Sequence, residues 1–312
     1  MIGPAASVIV PTRGGVRRLP VLLAALAAQD SMDFEVLVVV DGDVDGSEEE
    51  VNRWRDLLDV RTIVFPENRG RSAALNAGAE AAAGGILIRS DDDLEPLPGF
   101  VSGHVTRHAE GPCGVVGLTT NVLPETPYAR AYGRKADKRA LAEALALPPE
   151  RTWRLWAANV SVSASVHREL GGYDRRYRRY GWEDVDFGYR LHAAGIPVIV
   201  APELIARHHG ASTTTAVRAL RALHSGAARE AFEDIHGREA LGDRESGGGL
   251  WNRMVGAGSA IATERTLAAY GRAVDGLARL LPSGVAEKLI ALGVESAGLA
   301  GIRYPSRARA AF

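Results

Sequence analysis

Three adjacent carboxylates, Asp91-Asp92-Asp93, follow the short apolar run Ile86-Leu87-Ile88. Like charges repel, so a chain that only had to fold would gain little by placing them there. At the end of a strand, such a triplet offers the hard oxygen ligands that Mg2+ or Mn2+ take, and the cation offsets the repulsion. Alone, the triplet is better explained as a solvated turn, which favours aspartate anyway. A second cluster, Gly181-Trp182-Glu183-Asp184-Val185-Asp186-Phe187-Gly188, opens a helical stretch. A carboxylate beside a tryptophan is a reasonable general base, although acidic residues in a first helical turn also suit the helix dipole. Arg207-His208-His209-Gly210 carries two imidazoles, a common type of metal ligand. On its own this pair is more simply incidental. Arg69 and Arg71 stand just before an alanine-rich helical stretch. Their guanidinium forks suit phosphate or a base edge, and a helix N-terminus favours anions; a polar surface loop explains either one alone.

The elements that position these groups alternate. Strands are expected at Ser7–Pro11, Phe34–Val40, Arg61–Phe65 and Ile86–Ile88, from β-branched apolar runs. Helices are expected at Leu19–Gln29, Ser47–Leu58 and Ser72–Ala83, with Ser47 as N-cap and Glu50 as its capping-box partner. This alternation predicts a mostly parallel sheet with helices on both faces. Ligands of such sheets sit beyond the carboxyl ends of the strands, where Pro11-Thr12-Arg13, Asp41 and Asp91–Asp93 all fall. Further on, strands are read at Val115–Leu118, Val160–Ser163 and Val198–Ala201, and helices at Ala136–Ala146 and Trp182–Ala194. After about Thr215 the pattern is helical, with a glycine-rich break at Ser246–Gly249 and amphipathic helices around Thr263–Leu281 and Val285–Ala300.

Composition sets outer bounds. The chain has 312 residues, a net charge of −1 and a pI near 6.7. That length is ample for a sizeable core, and the lack of basic excess argues against nucleic acid as partner. A single cysteine, Cys113, allows no intrachain disulfide and fits a reducing compartment. No basic-then-apolar leader opens the sequence and no window of 18 apolar residues occurs, so a cytoplasmic protein is expected.

Taken together, the segments resemble glycosyltransferase family 2. The likeness rests on Ser7-Val8-Ile9-Val10-Pro11-Thr12-Arg13, Val38-Val39-Val40-Asp41-Gly42, Glu67 to Gly78, Ser90-Asp91-Asp92-Asp93, and Gly171-Gly172-Tyr173-Asp174 followed by Gly181 to Asp186. These occur in the family's order across roughly Ser7 to Gly210. The Gly-Trp-Glu-Asp-Val-Asp form also looks like a galactosyltransferase-type carboxyl half. The resemblance implies a GT-A fold: an α/β, Rossmann-like, mostly parallel central sheet with helices on both faces, here with a C-terminal helical extension. The expected division is a GT-A domain over 1–215, with a nucleotide-binding half to 100 and an acceptor-binding half from 101, then a helical region over 216–312.

It further implies a metal-dependent, inverting transfer of a sugar from a nucleoside diphosphate sugar, expected to be UDP-linked, to an acceptor hydroxyl. Pro11, Thr12, Arg13, Asp41 and Arg71 match the donor-binding positions. Asp91, Asp92 and Asp93 match the Asp-x-Asp region, with Asp93 first for direct ligation of Mn2+ or Mg2+ and Asp92 or Asp91 toward ribose or metal. Asp184 matches the general base, and Glu183 with Trp182 the acceptor side. His208 or His209 matches a histidine near metal and diphosphate. The sequence departs from the family after Asp41, reading Gly42-Asp43-Val44-Asp45-Gly46-Ser47 instead of Asp-Asp-Gly-Ser. The acceptor is expected to be a saccharide, a lipid-linked molecule or a small molecule, with Trp153 and Trp156 either selecting it or lying in the core. The C-terminal helices allow homodimerisation or a peripheral contact at the inner face of a membrane. Two other readings share parts of the pattern: a catalytically silent nucleotide- or carbohydrate-binding GT-A protein, and a nucleotidyltransferase.

Overall fold

The computed structural model describes residues 3–177, 181–242 and 249–309. Most of the glycine-rich break at 246–249 therefore lies outside the described residues. Two compact units emerge, one from the described residues of 1–122, 140–178 and 183–210, the other from those of 123–139, 179–182 and 211–312.

The first unit is built on an eight-stranded sheet. Its strands are β1 (Ala6–Thr12), β2 (Phe34–Asp41), β3 (Val60–Phe65), β4 (Ile86–Ser90), β5 (Leu94–Pro96), β6 (Gly114–Asn121), β7 (Asn159–Ser163) and β8 (Val198–His208), in the order β3-β2-β1-β4-β7-β6-β8-β5. The β3-β2-β1-β4 half is parallel, as is the β6-β8 pair, while β7 and β5 run antiparallel to their neighbours. β1 and β2 are buried along their whole length, as parallel strands covered on both faces must be. Side chains alternate: Val8, Val10, Val36, Val38 and Val40 pack with Leu19, Leu22, Leu23 and Leu26 of α1 (Leu19–Ala27). Val39 packs oppositely, with Ala73 and Ala74 of α3 (Arg71–Ala81).

Two readings from sequence are corrected. The helix expected over Ser47–Leu58 is the shorter α2 (Ser47–Asn52), and Ser47 is inside it rather than its N-cap. Asp43, four residues earlier, accepts the N–H groups of Gly46 and Ser47 at 3.0 and 3.1 Å and takes over the capping. At the other end, Arg53 and Trp54 bond the carbonyls of Glu50 and Val51, a tightening that ends the helix. The strand expected to stop at Ala201 runs on to His208. Pro202 and Glu203 occupy an irregularity where Gly117 pairs Ala201 and Thr119 already pairs Ala206. A bulge absorbs the residues that cannot join the ladder. α4 (Phe100–Arg107), α5 (Arg134–Leu145), α6 (Ala164–Glu169) and α7 (Trp182–Ala193), with a π-helical turn at Ala129–Gly133 and a 3-10 stretch at Pro149–Leu155, are the other helices up to 210; α4, α6 and β5 have no counterpart in the sequence reading.

The second unit is helical: α8 (Thr215–His236), α9 (Leu250–Ile261), α10 (Glu264–Leu277) and α11 (Ser283–Arg303). Small residues let α8 and α11 touch backbone to backbone. A Cβ on Gly301 would lie 2.1 Å from the Leu223 carbonyl oxygen, and one on Gly226 would lie 2.4 Å from that of Gly298. Among the described residues no helix is long and apolar enough to cross a membrane.

Candidate active site

The three aspartates beyond β4 point to three different partners. Asp91 receives Arg89 Nε at 2.9 Å. Asp92 is gripped by Arg18, whose Nε and Nη2 donate to its two oxygens at 2.9 and 2.8 Å, and by the Thr12 hydroxyl at 2.5 Å. Asp93 faces Nε2 of His208 at 3.3 Å. A turn built only for solvation would not distribute its carboxylates among β1, β4 and β8.

Asp92 therefore ties the loop after β1 to the end of β4. The space is tight: a Cβ on Gly15 would lie 2.0 Å from the Thr12 hydroxyl and 2.5 Å from Asp92 Oδ2. Burial pushes the Asp92 carboxyl up, while Arg18 and Thr12 pull it back. Pro11 is buried in the same strand end, and Arg13 is exposed. Asp41, at the end of β2, accepts the backbone N–H of Arg69 at 2.6 Å and of Gly70 at 2.9 Å. It thus moulds the loop that leads into α3, where Gly70 has a φ of 91° that glycine alone adopts readily. In the departing segment, Asp43 caps α2, and Asp45 accepts the N–H of Val16 at 3.1 Å and the Ser47 hydroxyl at 2.6 Å. Both are committed to loop structure, and the loops after β1 and β2 are braced together.

β5 pairs with the end of β8, Leu94 opposite His208, which brings the histidine to Asp93. Nδ1 of His208 lies 2.7 Å from the Asn121 side-chain oxygen. With the ring proton on Nδ1, toward that acceptor, Nε2 carries a lone pair. Two lone-pair-bearing atoms then face each other at 3.3 Å, an arrangement that a shared proton or cation satisfies. Burial would raise the Asp93 carboxyl, but the shared proton on His208, with Arg18 and Arg71, outweighs it and holds the carboxyl below the usual carboxylate range. Gly210 keeps the space open, since a Cβ there would lie 1.8 Å from Asp93 Oδ2. One carboxylate and one imidazole suit Mn2+ or Mg2+ as a partial ligand set that substrate oxygens complete. Among the described residues, no group of three His, Cys, Asp or Glu side chains is gathered around a common point. His209 is turned elsewhere, its Nε2 2.8 Å from Glu95.

At the start of α7 lies a buried charge cluster. Arg89 Nη1 donates to Asp184, and the two side chains are only 4% and 9% exposed. Arg71 contacts Glu183 at 3.4 Å. Two guanidiniums thus meet three carboxylates, Asp91, Asp184 and Glu183. Burial is the largest influence on Asp184 and pushes its pKa up to about 7; Arg89 opposes the rise and Glu183 adds to it. Tyr173 of the Gly171-Gly172-Tyr173-Asp174 segment lines the cluster, with the Arg89 guanidinium 5.9 Å above its ring. Asn76 fixes the Tyr173 backbone at 2.7 and 2.8 Å. Trp153 and Trp156 are both buried; Trp156 stacks on Phe187 and donates to the Tyr173 hydroxyl at 3.0 Å. Of the two uses open to them, these tryptophans serve the core.

In the helical unit, Trp182 donates its indole N–H to the Ser225 carbonyl at 2.7 Å and lies 5.3 Å from the Phe232 ring. The sequence reading missed Arg18, Arg89 and Asn121. Only Arg89 left a signal: a charge inside the apolar strand Ile86-Leu87-Ile88-Arg89-Ser90.

An open-edged, mostly parallel sheet with acidic residues at its strand ends and helices on both faces is the GT-A fold. The chain belongs to glycosyltransferase family 2: the model of that family, Glycosyl transferase family 2, matches residues 7–164. It is 30% identical over 230 residues to validoxylamine A glucosyltransferase of Streptomyces hygroscopicus subsp. jinggangensis, covering 64% of this chain and 54% of that protein. Over 228 residues it is 27% identical to chondroitin synthase of Pasteurella multocida, covering 61% of this chain and 23% of the synthase. The chain spans about half the length of the glucosyltransferase relatives it matches. Among solved structures, it superimposes on a mannosyltransferase of Pyrobaculum calidifontis in complex with GDP-Man and Mn2+, with a TM-score of 0.63 at 21% identity, covering 97% and 88% of the two chains. It also superimposes on S. aureus TarS 1-349 in complex with UDP-GlcNAc, with a TM-score of 0.54 at 18% identity, covering 96% and 92%.

Proposed function

We propose that this protein is a cation-dependent, inverting glycosyltransferase that moves a sugar from a nucleoside diphosphate sugar, UDP-linked by preference, to an acceptor hydroxyl. The observation that carries this reading is the buried Asp184 carboxylate at the start of α7, held in direct contact with Arg89, which burial raises above the usual carboxylate range as suits a general base. Its place in the Gly181 to Asp186 segment, which looks like a galactosyltransferase-type carboxyl half, supports the same role.

In this reading the acceptor hydroxyl gives its proton to Asp184 as its oxygen forms a bond to the anomeric carbon. The bond from that carbon to the diphosphate oxygen breaks on the opposite face, so configuration inverts. Glu183, held by Arg71, binds the acceptor beside the base, with Trp182 preceding it. Thr12, Arg13, Asp41 and Arg71 receive the nucleotide, with Pro11 and Asp92 shaping the loop. Asp93 and His208 would hold the cation, and Asp91 completes the acidic edge. A bound Mn2+ or Mg2+ would neutralise charge on the departing diphosphate. His208, not His209, is the histidine of the site, because only its Nε2 faces Asp93.

The acceptor class stays a saccharide, a lipid-linked molecule or a small molecule, and the helical unit is the surface proposed for self-association or peripheral membrane contact. Incubation with Mn2+ and a panel of nucleotide sugars tests the reading. Release of nucleoside diphosphate is expected; release of pyrophosphate would indicate nucleotidyl transfer, and nucleotide binding without any release would indicate a silent binding protein.

A further inference from the structure

Arg89 stands at an unexpected place for a charge. It is a strand residue in the middle of the sheet, opposite Ile9 on one side and Val160 on the other. Its neighbour Ile88 is wholly buried, and a valine or leucine at position 89 would satisfy the sheet. A buried guanidinium costs several kcal/mol unless its partners are well placed, and replacing a buried ion pair by apolar groups is often neutral or stabilising. Stability alone therefore does not account for it.

Its hydrogen bonds run to both functional clusters. Nε donates to Asp91 Oδ1 at 2.9 Å and Nη2 reaches Asp91 Oδ2 at 3.4 Å, while Nη1 donates to Asp184, 95 positions away. We propose that Arg89 is a positioning residue for transfer: its rigid fork holds the Asp184 carboxylate as an aimed anion and locks it to Asp91, setting the base at a fixed place relative to the donor's acidic edge. This rests on the reading of Asp184 as the base. A planar fork suits the task because two of its edges can be engaged at once in a fixed geometry, which a lysine ammonium cannot match. The charged and titratable groups around Asp184 are Arg89, Glu183, Arg71, Asp91 and Tyr173. Of the two cations, Arg89 is the one in direct contact with it, so its removal should dominate any change in the base.

The test compares Arg89→Met and Arg89→Lys with the wild type. Carboxyl 13C NMR of the ligand-free protein, with the Asp184 signal assigned by Asp184→Asn, follows the titration directly. Arg89→Met should move it upward by about one pH unit or more, the size expected on losing an adjacent opposite charge. The acid limb of kcat/KM should move with it, measured as diphosphate release from the nucleotide sugar preferred in the panel above. Arg89→Lys should largely restore the titration yet leave kcat down about tenfold or more, because charge returns without aim. Circular dichroism checks folding, and should the methionine variant not fold, the kcat of the lysine variant decides. A merely structural Arg89 would lower Tm in folded variants while leaving titration, acid limb and kcat in place, and that outcome overturns the proposal with the base assignment intact. Wild-type turnover by Asp184→Asn would instead remove the base assignment, and the proposal with it.

Discussion

Asp93 and His208 face each other at 3.3 Å across the junction of β5 with β8, with Asn121 bonded to the far side of the imidazole. The pairing depends on β8 continuing past Pro202 to reach Leu94, so the bulge just before Ala206 decides which histidine joins the acidic edge.

The first expectation separates the two histidines. His208→Ala and Asp93→Ala should each abolish the Mn2+-dependent part of nucleoside diphosphate binding, seen as lost calorimetric heat with UDP and Mn2+. His209→Ala should leave that heat within about twofold, since its partner is Glu95 and exposed ion pairs contribute about 0–1 kcal/mol. Equal losses in all three variants would refute the division.

Asp184→Asn should leave donor binding intact and lower kcat by about 10²–10⁴-fold, the range supplied by a general base. Single-turnover measurement with saturating nucleotide sugar reads the chemical step directly.

A pH profile follows from the raised pKa of Asp184. A base works when deprotonated, so kcat/KM should be low at acid pH, rise through about 7, and then level off. For stability the sign is opposite: a carboxyl whose native pKa lies above its unfolded value binds more protons when folded, so between about pH 4 and 7 this group makes stability fall as pH rises. Replacing Asp184 by Asn should flatten that contribution in denaturant titrations run across the same window.

Asp92 is expected to act through architecture. Asp92→Ala removes the acceptor for Arg18 and Thr12 and should cost about 1–3 kcal/mol, the usual loss when hydrogen bonds to a charged, mostly buried group are broken. Chemical denaturation reads this, and Thr12→Ala combined with Asp92→Ala should cost less than the sum because the two share one bond.

Asp43 offers a simpler case. Its carboxylate collects the opening N–H groups of α2, so Asp43→Ala should cost about 0.5–2 kcal/mol, as lost helix caps do. Unchanged stability would show that the loop, not the cap, holds the helix start.

Much of this protein was determined by local sequence. The β-branched runs of β1 and β2, the leucine spacing of α1 and the alanine-rich α3 specify a doubly covered parallel sheet, because each buries a continuous apolar surface that only such a sheet can cover. The carboxylates at its strand ends were legible for the same reason, since the end of an apolar run marks the edge where polar groups can reach a ligand. What local pattern could not carry was pairing over long separations. That Asp92 and Asp93 go separately to Arg18 and His208, that His208 rather than His209 meets Asp93, and that Arg89 reaches Asp184 as well as nearby Asp91 are decided by strand order and by the bulge in β8. Periodicity tells a side chain which face to bury; only the assembled sheet tells a buried charge which opposite charge will be there to meet it.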